Sequence, residues 1–301
     1  MVLQRIWVDQ GQTVENLGSS DSMQCVVGAV SRLASASVAD TQGSFWLVVR
    51  GMAQLDCKEG QFQLRIGDWF VLERDSRPTV LSTRDALVLV LTLPVAGSTL
   101  PEIFPGRGNA DRRQRRLAFR HWRMSGVFHA VAPTVDDRSL LLRLLHFIGA
   151  LQQDLAQFVS KCPGKSLRRK RQVFARMQRA KLYLDGNISR TVPLSELAQL
   201  SNFSTWYFTK TFHALYDEGP RDVTASFRLR QGADLLLATQ LSIGEVSEAC
   251  GFEHACSFAR AFRAHFGMSA TQFRRAHSDA LTPIHAKRAA IPPKALLARR
   301  T

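Results

Sequence analysis

The ten-residue stretches LSELAQLSNF at 194–203 and IGEVSEACGF at 243–252 decide the fold of the second half of the chain. Each begins as a short amphipathic helix with a small residue near its middle, Ala198 or Ser247. Each then reaches a residue type that tolerates a positive φ angle, directly followed by a phenylalanine. These features predict two short helices that each end in a sharp turn. The turn residues are Asn202 and Phe203 in the first stretch and Gly251 and Phe252 in the second.

Aromatic side chains recur every four residues after each turn, which places them on one face of a helix. This spacing predicts second helices over 204–215, with Ser204 as the N-cap, and over about 255–265. Two short helices that cross at a large angle around a tight turn form a helix-turn-helix unit, and the chain has two of them. The aromatic residues are Phe208, Phe212 and Tyr216 in the first unit and Phe258, Phe262 and Phe266 in the second. A candidate helix from about 221 to 239 connects the two units, carrying Phe227, Leu229, Leu235 and Leu236.

The pattern over residues 173–277 resembles the DNA-binding domain of the AraC/XylS family. The matching positions are Leu197-Ala198, Ser204, Phe208, Phe212, Pro220, Arg228-Leu229, Leu235-Leu236, Val246, Ala249-Cys250-Gly251-Phe252, Ser257-Phe258, Phe262-Arg263, Phe266-Gly267 and Phe273-Arg274. The resemblance implies a sequence-specific, double-stranded-DNA-binding transcription regulator, an activator with RNA polymerase as a partner. Its two reading helices are then expected to enter successive major-groove segments, about 34 Å apart.

Three positions depart from the family pattern. Asp217 stands where the family usually has glycine after the first reading helix, and Ala270 replaces the usual proline of the second unit. Gly232 replaces a common alanine in the connecting helix, at a cost of roughly 0.5–1 kcal/mol in helix propensity. These departures predict lower local rigidity in an unchanged fold.

The charge distribution agrees with a polyanionic partner for the second half. The chain of 301 residues has a formal net charge of +15, and residues 161–301 hold 23 Lys and Arg against 10 Asp and Glu. Residues 1–160 are nearly balanced, with 17 against 15. An excess of this size favours nucleic acid as the ligand of the C-terminal half.

The resemblance and the outward-facing positions assign roles to individual residues. Base-reading positions are Trp206, Thr209 and Lys210 on the first reading helix and Ala255, Cys256 and Arg260 on the second. Core packing is the alternative for Trp206, because it is large and apolar. Because Ala255 and Cys256 lack strong hydrogen-bonding groups, we expect the second helix to read its half-site more loosely. Contacts to the DNA backbone are expected from Thr205, Lys181, Arg190, His254, Arg263, Arg274 and Arg275.

Residues 1–100 show the alternating pattern of short, half-buried strands separated by Gly turns, typical of a small barrel or sandwich. The resemblance implies a cupin-like barrel that senses an effector or dimerises. The absence of histidine from the first 100 residues excludes a cupin metal site there. An effector bound in the barrel would contact a set of four aromatic residues. The alternative is that these residues only fill the hydrophobic core. The set is Trp46, Phe62, Trp69 and Phe70.

Two segments follow the strands. Residues 101–135 are expected to be a solvated connector with a short strand, and a nucleic-acid contact by the basic run 112–123 is the alternative. Residues 136–160 are predicted to form one helix whose apolar positions are spaced by three and four. This seam packs either on its own barrel or on a second copy in a homodimer. The seam residues are Leu141, Leu144, Ile148, Leu151, Leu155 and Phe158.

The predicted organisation is therefore α+β with two domains. A cupin-like sensing and dimerisation domain covers 1–160, a basic linker 161–172, the all-α DNA-binding domain 173–277, and a basic disordered tail 278–301. The resemblance implies a bacterial protein. The five cysteines include no C-x-x-C pair, which predicts a protein without disulfides or a metal site. The sequence has no signal or membrane-spanning pattern, which predicts a cytoplasmic protein without membrane contact.

Two other functions, an enzyme and a non-specific architectural binder, fit the sequence less well than a regulator does. An enzyme on the barrel lacks any nucleophile, base or metal constellation, and Gly164-Lys165-Ser166 lacks the leading glycine and preceding strand of a nucleotide-binding loop. We therefore expect no cofactor. A non-specific architectural binder fits the basic tail but not two phased reading units.

Overall fold

The computed structural model describes residues 2–18, 24–93, 103–128, 136–188 and 190–278. These residues form two compact units. The first contains the strands and the first helix-turn-helix unit, up to Pro220, without the short segment 188–191. The second contains that segment and the helices from Arg221 onward. The expected tail beyond Ser278 lies outside the described residues.

Among the described residues of the first unit, eleven strands form two sheets. The larger sheet has the order β1-β3-β10-β5-β8-β11, and the smaller has the order β2-β4-β9-β6-β7. The strands are β1 (Val2–Val8), β2 (Thr13–Leu17), β3 (Gln24–Ser31), β4 (Ser35–Val38), β5 (Gly43–Arg50), β6 (Ala53–Cys57), β7 (Gly60–Leu64), β8 (Asp68–Leu72), β9 (Thr79–Ser82), β10 (Leu87–Leu93) and β11 (Gly106–Asn109).

The larger sheet is buried on both faces. Along β5, Phe45 and Leu47 belong to one core cluster, whereas Trp46 and Val48 belong to another. The second cluster also holds Leu55 and other residues of the smaller sheet, so the two sheets share it. The first cluster holds residues of two helices, which cover the opposite face. This alternation follows from the period of two along a strand.

The β-rich prediction is confirmed, but the described strands do not close into a single barrel. Each strand pairs only within its own sheet. The sandwich alternative therefore describes the domain better than the barrel. The physical reason is that the helices, not further strands, cover the second face of the larger sheet.

The basic segment after β11 forms a helix, α1 (Arg112–Met124), where the sequence was expected to form a connector. Asp111 caps its N-terminus by accepting from the backbone N–H of Gln114, and the Gln114 side chain accepts from the Asp111 backbone in return. Ala118 and Trp122 are buried, and the Trp122 indole donates to the carbonyl of Gly28 in β3. Residues 101–102 and 129–135 lie outside the described residues.

The single helix expected over 136–160 is interrupted at Gln152. The chain forms α2 (Asp137–Leu151), α3 (Gln153–Ala156) and a 3₁₀ turn (Gln157–Lys161). The buried Gln152 side chain donates to the Phe104 carbonyl and accepts from the Phe104 N–H, at 2.6 and 3.0 Å. This paired contact fixes the break.

The apolar seam of these helices packs on the larger sheet. Three members are buried in its cluster, and two more pack against it half-buried. Phe158 lies instead beside Tyr216, with ring centroids 6.4 Å apart. The buried members are Leu141, Leu144 and Ile148, and the half-buried ones are Leu151 and Leu155. Packing within the chain therefore occupies most of the seam, and its role in a dimer stays a prediction.

The next helix, α4 (Leu167–Gly186), includes residues that were expected in the linker. Its Arg179 guanidinium lies 3.1 Å from both Glu59 and Asp75, and 3.9 Å from Glu73. Burial raises the pKa of Glu73, and the Arg179 charge opposes this. These ion pairs hold α4 against the strand domain.

The remaining helices build the two helix-turn-helix units. They are α5 (Leu194–Leu200) and α6 (Thr205–Tyr216), then α7 (Pro220–Ala238), α8 (Ile243–Ala249), α9 (Ala255–Phe266) and α10 (Ala270–Ser278). The predicted helix bounds agree closely with these ranges.

Candidate nucleic-acid interface

The first helix-turn-helix unit consists of α5, a turn and α6. Asn202 adopts the left-handed conformation with φ 50°, as the sequence predicted. The Phe203 N–H then donates to the Ala198 carbonyl at 2.9 Å, which closes the turn. Ser204 caps α6 by accepting from the Tyr207 N–H at 3.3 Å, which confirms the predicted N-cap.

The second unit repeats this arrangement with α8 and α9. Gly251 has φ 74°, and the Phe252 N–H donates to the Ser247 carbonyl at 3.1 Å. Ser242 and Glu245 form a capping box at the start of α8. Because this box satisfies the Ser242 and Glu245 N–H groups, the short first helix has a defined beginning as well as a defined end.

The aromatic repeats form the inner face of each second helix. Phe208 and Phe212 are fully buried with centroids 5.4 Å apart, and Phe258 and Phe262 are fully buried with centroids 5.3 Å apart. Because these rings fix the rotation of α6 and α9, the opposite face of each helix is turned to solvent.

The solvent face of α6 carries the predicted base-reading residues. Trp206 is 69% exposed, so it does not pack in the core, and the Lys210 ammonium lies 4.9 Å from its ring centroid. Thr205 is exposed, and the half-buried Thr209 hydroxyl donates to the Thr205 carbonyl at 2.8 Å. A flat aromatic ring beside a cation therefore stands at the centre of this face.

The solvent face of α9 is less equipped for hydrogen bonding. Ala255, Cys256 and Arg260 are all exposed, and the Arg260 Nε donates to the Cys256 carbonyl at 3.4 Å. Arg260 is thus the single predicted base-reading residue of α9 with a guanidinium fork. His254 occupies the N-cap position without a side-chain cap bond, and it is exposed.

The residues expected at the DNA backbone differ in their surroundings. Arg190, Arg263 and Arg275 are exposed. The Lys181 ammonium lies over the Tyr216 ring, 4.3 Å from its centroid. Arg274 is half-buried and donates to the carbonyls of two residues, Leu236 and Leu241, which fixes the end of α7 to the chain that follows it. Arg274 therefore has a structural role besides any contact with phosphate.

The four aromatic residues expected around an effector are buried and divided between two clusters. Trp46, Phe62 and Phe70 lie between the sheets, with Phe62 and Phe70 centroids 4.8 Å apart. Trp69 faces the opposite side of the larger sheet, in the cluster with α1 and α2. The structure thus brings three of the four together. An open concavity of about 540 Å³ lies elsewhere, lined by residues such as Asn16, Asp40 and Arg77.

Within the described part of the chain, no three His, Cys, Asp or Glu side chains come together as a metal site requires. No helix formed by the described residues has the length and apolarity to cross a membrane.

The chain is similar in sequence to known helix-turn-helix proteins. Residues 197–276 match a family profile described as "Helix-turn-helix domain". The Msm operon regulatory protein of Streptococcus mutans is 21% identical over 76% of this chain and 82% of its own length. The HTH-type transcriptional regulator CdhR of Pseudomonas aeruginosa is 36% identical, over 35% of this chain and 30% of its own length. In structure, the DNA-binding domain of AdpA, solved with a target DNA, has a TM-score of 0.33 at 22% identity, covering 35% of this chain and 94% of that domain.

Two helix-turn-helix units with solvent-facing second helices, in a sequence that matches the helix-turn-helix profile, define a DNA-binding transcription regulator. Residues 197–276 form an AraC-type DNA-binding domain, which follows a β-rich N-terminal domain.

Proposed function

We propose that the chain is a sequence-specific activator that places α6 and α9 in successive major-groove segments of a promoter. The observation that carries this proposal is the exposed pair Trp206 and Lys210 on the outer face of α6. Trp206 is 69% exposed and therefore leaves a large apolar surface in contact with water. A base edge in the major groove can cover this surface, because it offers apolar and hydrogen-bonding groups together.

On α6, Lys210 donates to guanine O6 and N7, and Trp206 packs on a thymine methyl group or a sugar. Thr209 already donates to the Thr205 carbonyl, so its hydroxyl oxygen contributes as an acceptor. Together these three side chains give the first half-site a defined base preference.

On α9, Arg260 forms the bidentate contact with a guanine. Ala255 and Cys256 touch only apolar base edges, such as a thymine methyl. Arg260 is then the only one of these three residues that distinguishes bases through hydrogen bonds. The second half-site is therefore read more loosely than the first.

Contacts to the DNA backbone position both helices. Arg190, His254, Arg263 and Arg275 are exposed and suit this role, with Thr205 at the N-terminus of α6. Lys181 reaches phosphate by leaving the Tyr216 ring, and Arg274 contributes less because its donors are engaged within the chain.

The wider assignment rests on the relatives. One of them is named as the HTH-type transcriptional activator AarP and another as the transcriptional activator NphR, which supports activation by this chain. RNA polymerase is the partner that we propose for this activation. We further propose a cytoplasmic protein whose strand domain binds a small-molecule effector or a second copy of the chain through residues of the α2–α3 seam. The α2–α3 seam is Leu141, Leu144, Ile148, Leu151, Leu155 and Phe158.

Footprinting on a genomic fragment retained by the purified chain tests the proposal. We expect two protected major-groove blocks about one helical turn apart, and increased transcription from that fragment with RNA polymerase. Lys210→Ala should remove protection from one block and Arg260→Ala from the other. If both variants give the wild-type footprint, the assignment of base-reading residues is wrong.

A further inference from the structure

The exposed face of α1 is a stripe of arginines. Taking 100° per residue, the stripe lies opposite the buried Ala118 and Trp122. It extends over eleven residue steps, or about 16 Å along the helix axis. All five members are exposed. The arginine stripe consists of Arg112, Arg113, Arg116, Arg120 and Arg123.

The stripe has no carboxylate partner among the residues that the structure describes. The helix contains no acidic residue, and two of the arginines stand in its first turn, where the helix dipole disfavours positive charge. Arg112, Arg116 and Arg120 are also spaced by four, which places like charges side by side.

The neighbouring helix adds to the positive field instead of neutralising it. Burial lowers the pKa of His121 on α1, and the charges of Arg143 on α2 and of Arg120 lower it further. Arg143 is itself exposed. The free chain therefore maintains a concentrated positive surface that opposes the stability of α1.

We propose that the arginine stripe binds the phosphate backbone of DNA outside the two blocks read by α6 and α9. A duplex carries one negative charge per about 1.7 Å of its axis, so a 16 Å stripe faces about nine phosphates counted over both strands. This inference rests on the proposed function, because the reading helices bring the duplex to the chain.

Phosphate fits the stripe better than an acidic protein surface does. Protein interfaces usually have an apolar centre and a polar rim, whereas here arginines form the centre and the apolar residues Leu117 and Phe119 flank them. Arginine also donates bidentate hydrogen bonds to phosphate oxygens.

The test compares two triple variants of the full chain. Arg112→Gln/Arg116→Gln/Arg120→Gln removes three charges from the stripe, and Arg50→Gln/Arg74→Gln/Arg84→Gln removes three exposed charges from the strand domain. Affinity is measured against salt on two duplexes with the selected motif. One ends at the motif, and the other extends about two helical turns beyond it on each side.

On the extended duplex, we expect the stripe variant to bind about tenfold more weakly, with a salt slope smaller by about 0.9 for each lost phosphate contact. On the short duplex it should bind like the wild type, and the control should match the wild type on both. The thermal midpoint of the stripe variant should not fall, because its substitutions relieve repulsion between arginines within α1.

If the stripe variant has the same salt slope as the wild-type chain on the extended duplex, the inference is wrong. If transcription nevertheless falls in that case, the stripe binds an acidic surface of a protein. Failure of the proposed function is recognised separately, because the wild-type chain then shows no base preference on any duplex.

Discussion

The ammonium group of Lys210 lies over the indole ring of Trp206, one helical turn earlier on α6, with 4.9 Å between the nitrogen and the ring centroid. The contact joins the two side chains that we propose read the first half-site. It presents a flat apolar ring and a donor as one surface, and the ring restricts the positions that the lysine adopts.

Replacing Trp206 separates recognition from stability. We expect Trp206→Ala to weaken binding to the selected site by about 1–3 kcal/mol while leaving the thermal midpoint unchanged, because the side chain is mostly exposed. The matched control is Phe208→Ala, two residues further on, which is fully buried and should cost about 3–5 kcal/mol of stability. A large loss of stability in Trp206→Ala would place the tryptophan in the core.

The cysteines predict selective inactivation by a thiol reagent. Burial raises the pKa of Cys25, Cys162 and Cys250 to about 11, and burial together with the Glu59 charge raises the pKa of Cys57 further. Cys256 is exposed on α9. Near neutral pH the four raised thiols are protonated and poorly reactive, so iodoacetamide should modify Cys256 first.

Peptide mass spectrometry identifies the modified residue, and the adduct should block binding at the second half-site because it occupies the reading face. Bound DNA should protect the thiol, and Cys256→Ser should bind DNA but resist the reagent. Modification of Cys256 without loss of binding would show that α9 does not enter the groove.

Gly232 predicts a substitution that fails despite improving helix propensity. A Cβ atom built on Gly232 would lie 2.8 Å from a ring carbon of Phe258 and 3.4 Å from the Cys250 sulfur. The sequence suggested that alanine would gain roughly 0.5–1 kcal/mol here. Overpacking costs about 1–3 kcal/mol, so we expect Gly232→Ala to be net destabilising.

Chemical denaturation measures this change, with Gly244→Ala in α8 as the control, since its added Cβ meets nothing closer than 3.9 Å. A stability gain in Gly232→Ala equal to that of the control would mean that α7 and α9 are not packed this closely.

The ends of the two reading helices form another matched pair. Asp217 ends α6 with φ 57°, and Gly267 ends α9 with φ 73°. Because a side chain at positive φ is strained, we expect Gly267→Ala to cost about 1 kcal/mol of unfolding free energy, whereas Asp217→Gly should be neutral or slightly stabilising. A marked loss of unfolding free energy in Asp217→Gly would contradict this expectation. It would show that the exposed Lys161–Asp217 ion pair, at 3.4 Å, outweighs the backbone strain.

The sequence predicted best what is local. The turn at Asn202, the Ser204 cap and the aromatic rows on α6 and α9 depend on residues within about four positions of each other, and all are observed. The helix α1 also had a local signal, the Asp111–Gln114 capping box, which the arginine-rich composition obscured.

Long-range pairing could not be predicted in the same way. Trp69 and Trp46 lie on opposite faces of the larger sheet. This arrangement depends on how the strands pair and on the packing of α1 and α2 against one of the two faces. The break at Gln152 depends on Phe104, 48 residues earlier in the chain. The close approach behind Gly232 likewise needs Phe258 to be in place.

Selection from random duplex DNA, with the full chain at ~150 mM salt and sequencing of the recovered pool, tests the central claim most directly. We predict two conserved blocks about one helical turn apart, with the block read by α6 sharper than the block read by α9, and with Lys210→Ala blurring only the sharper block. A pool that shows no motif with the full chain, and again none with residues 165–301, would contradict the account and leave a protein that binds DNA through charge alone.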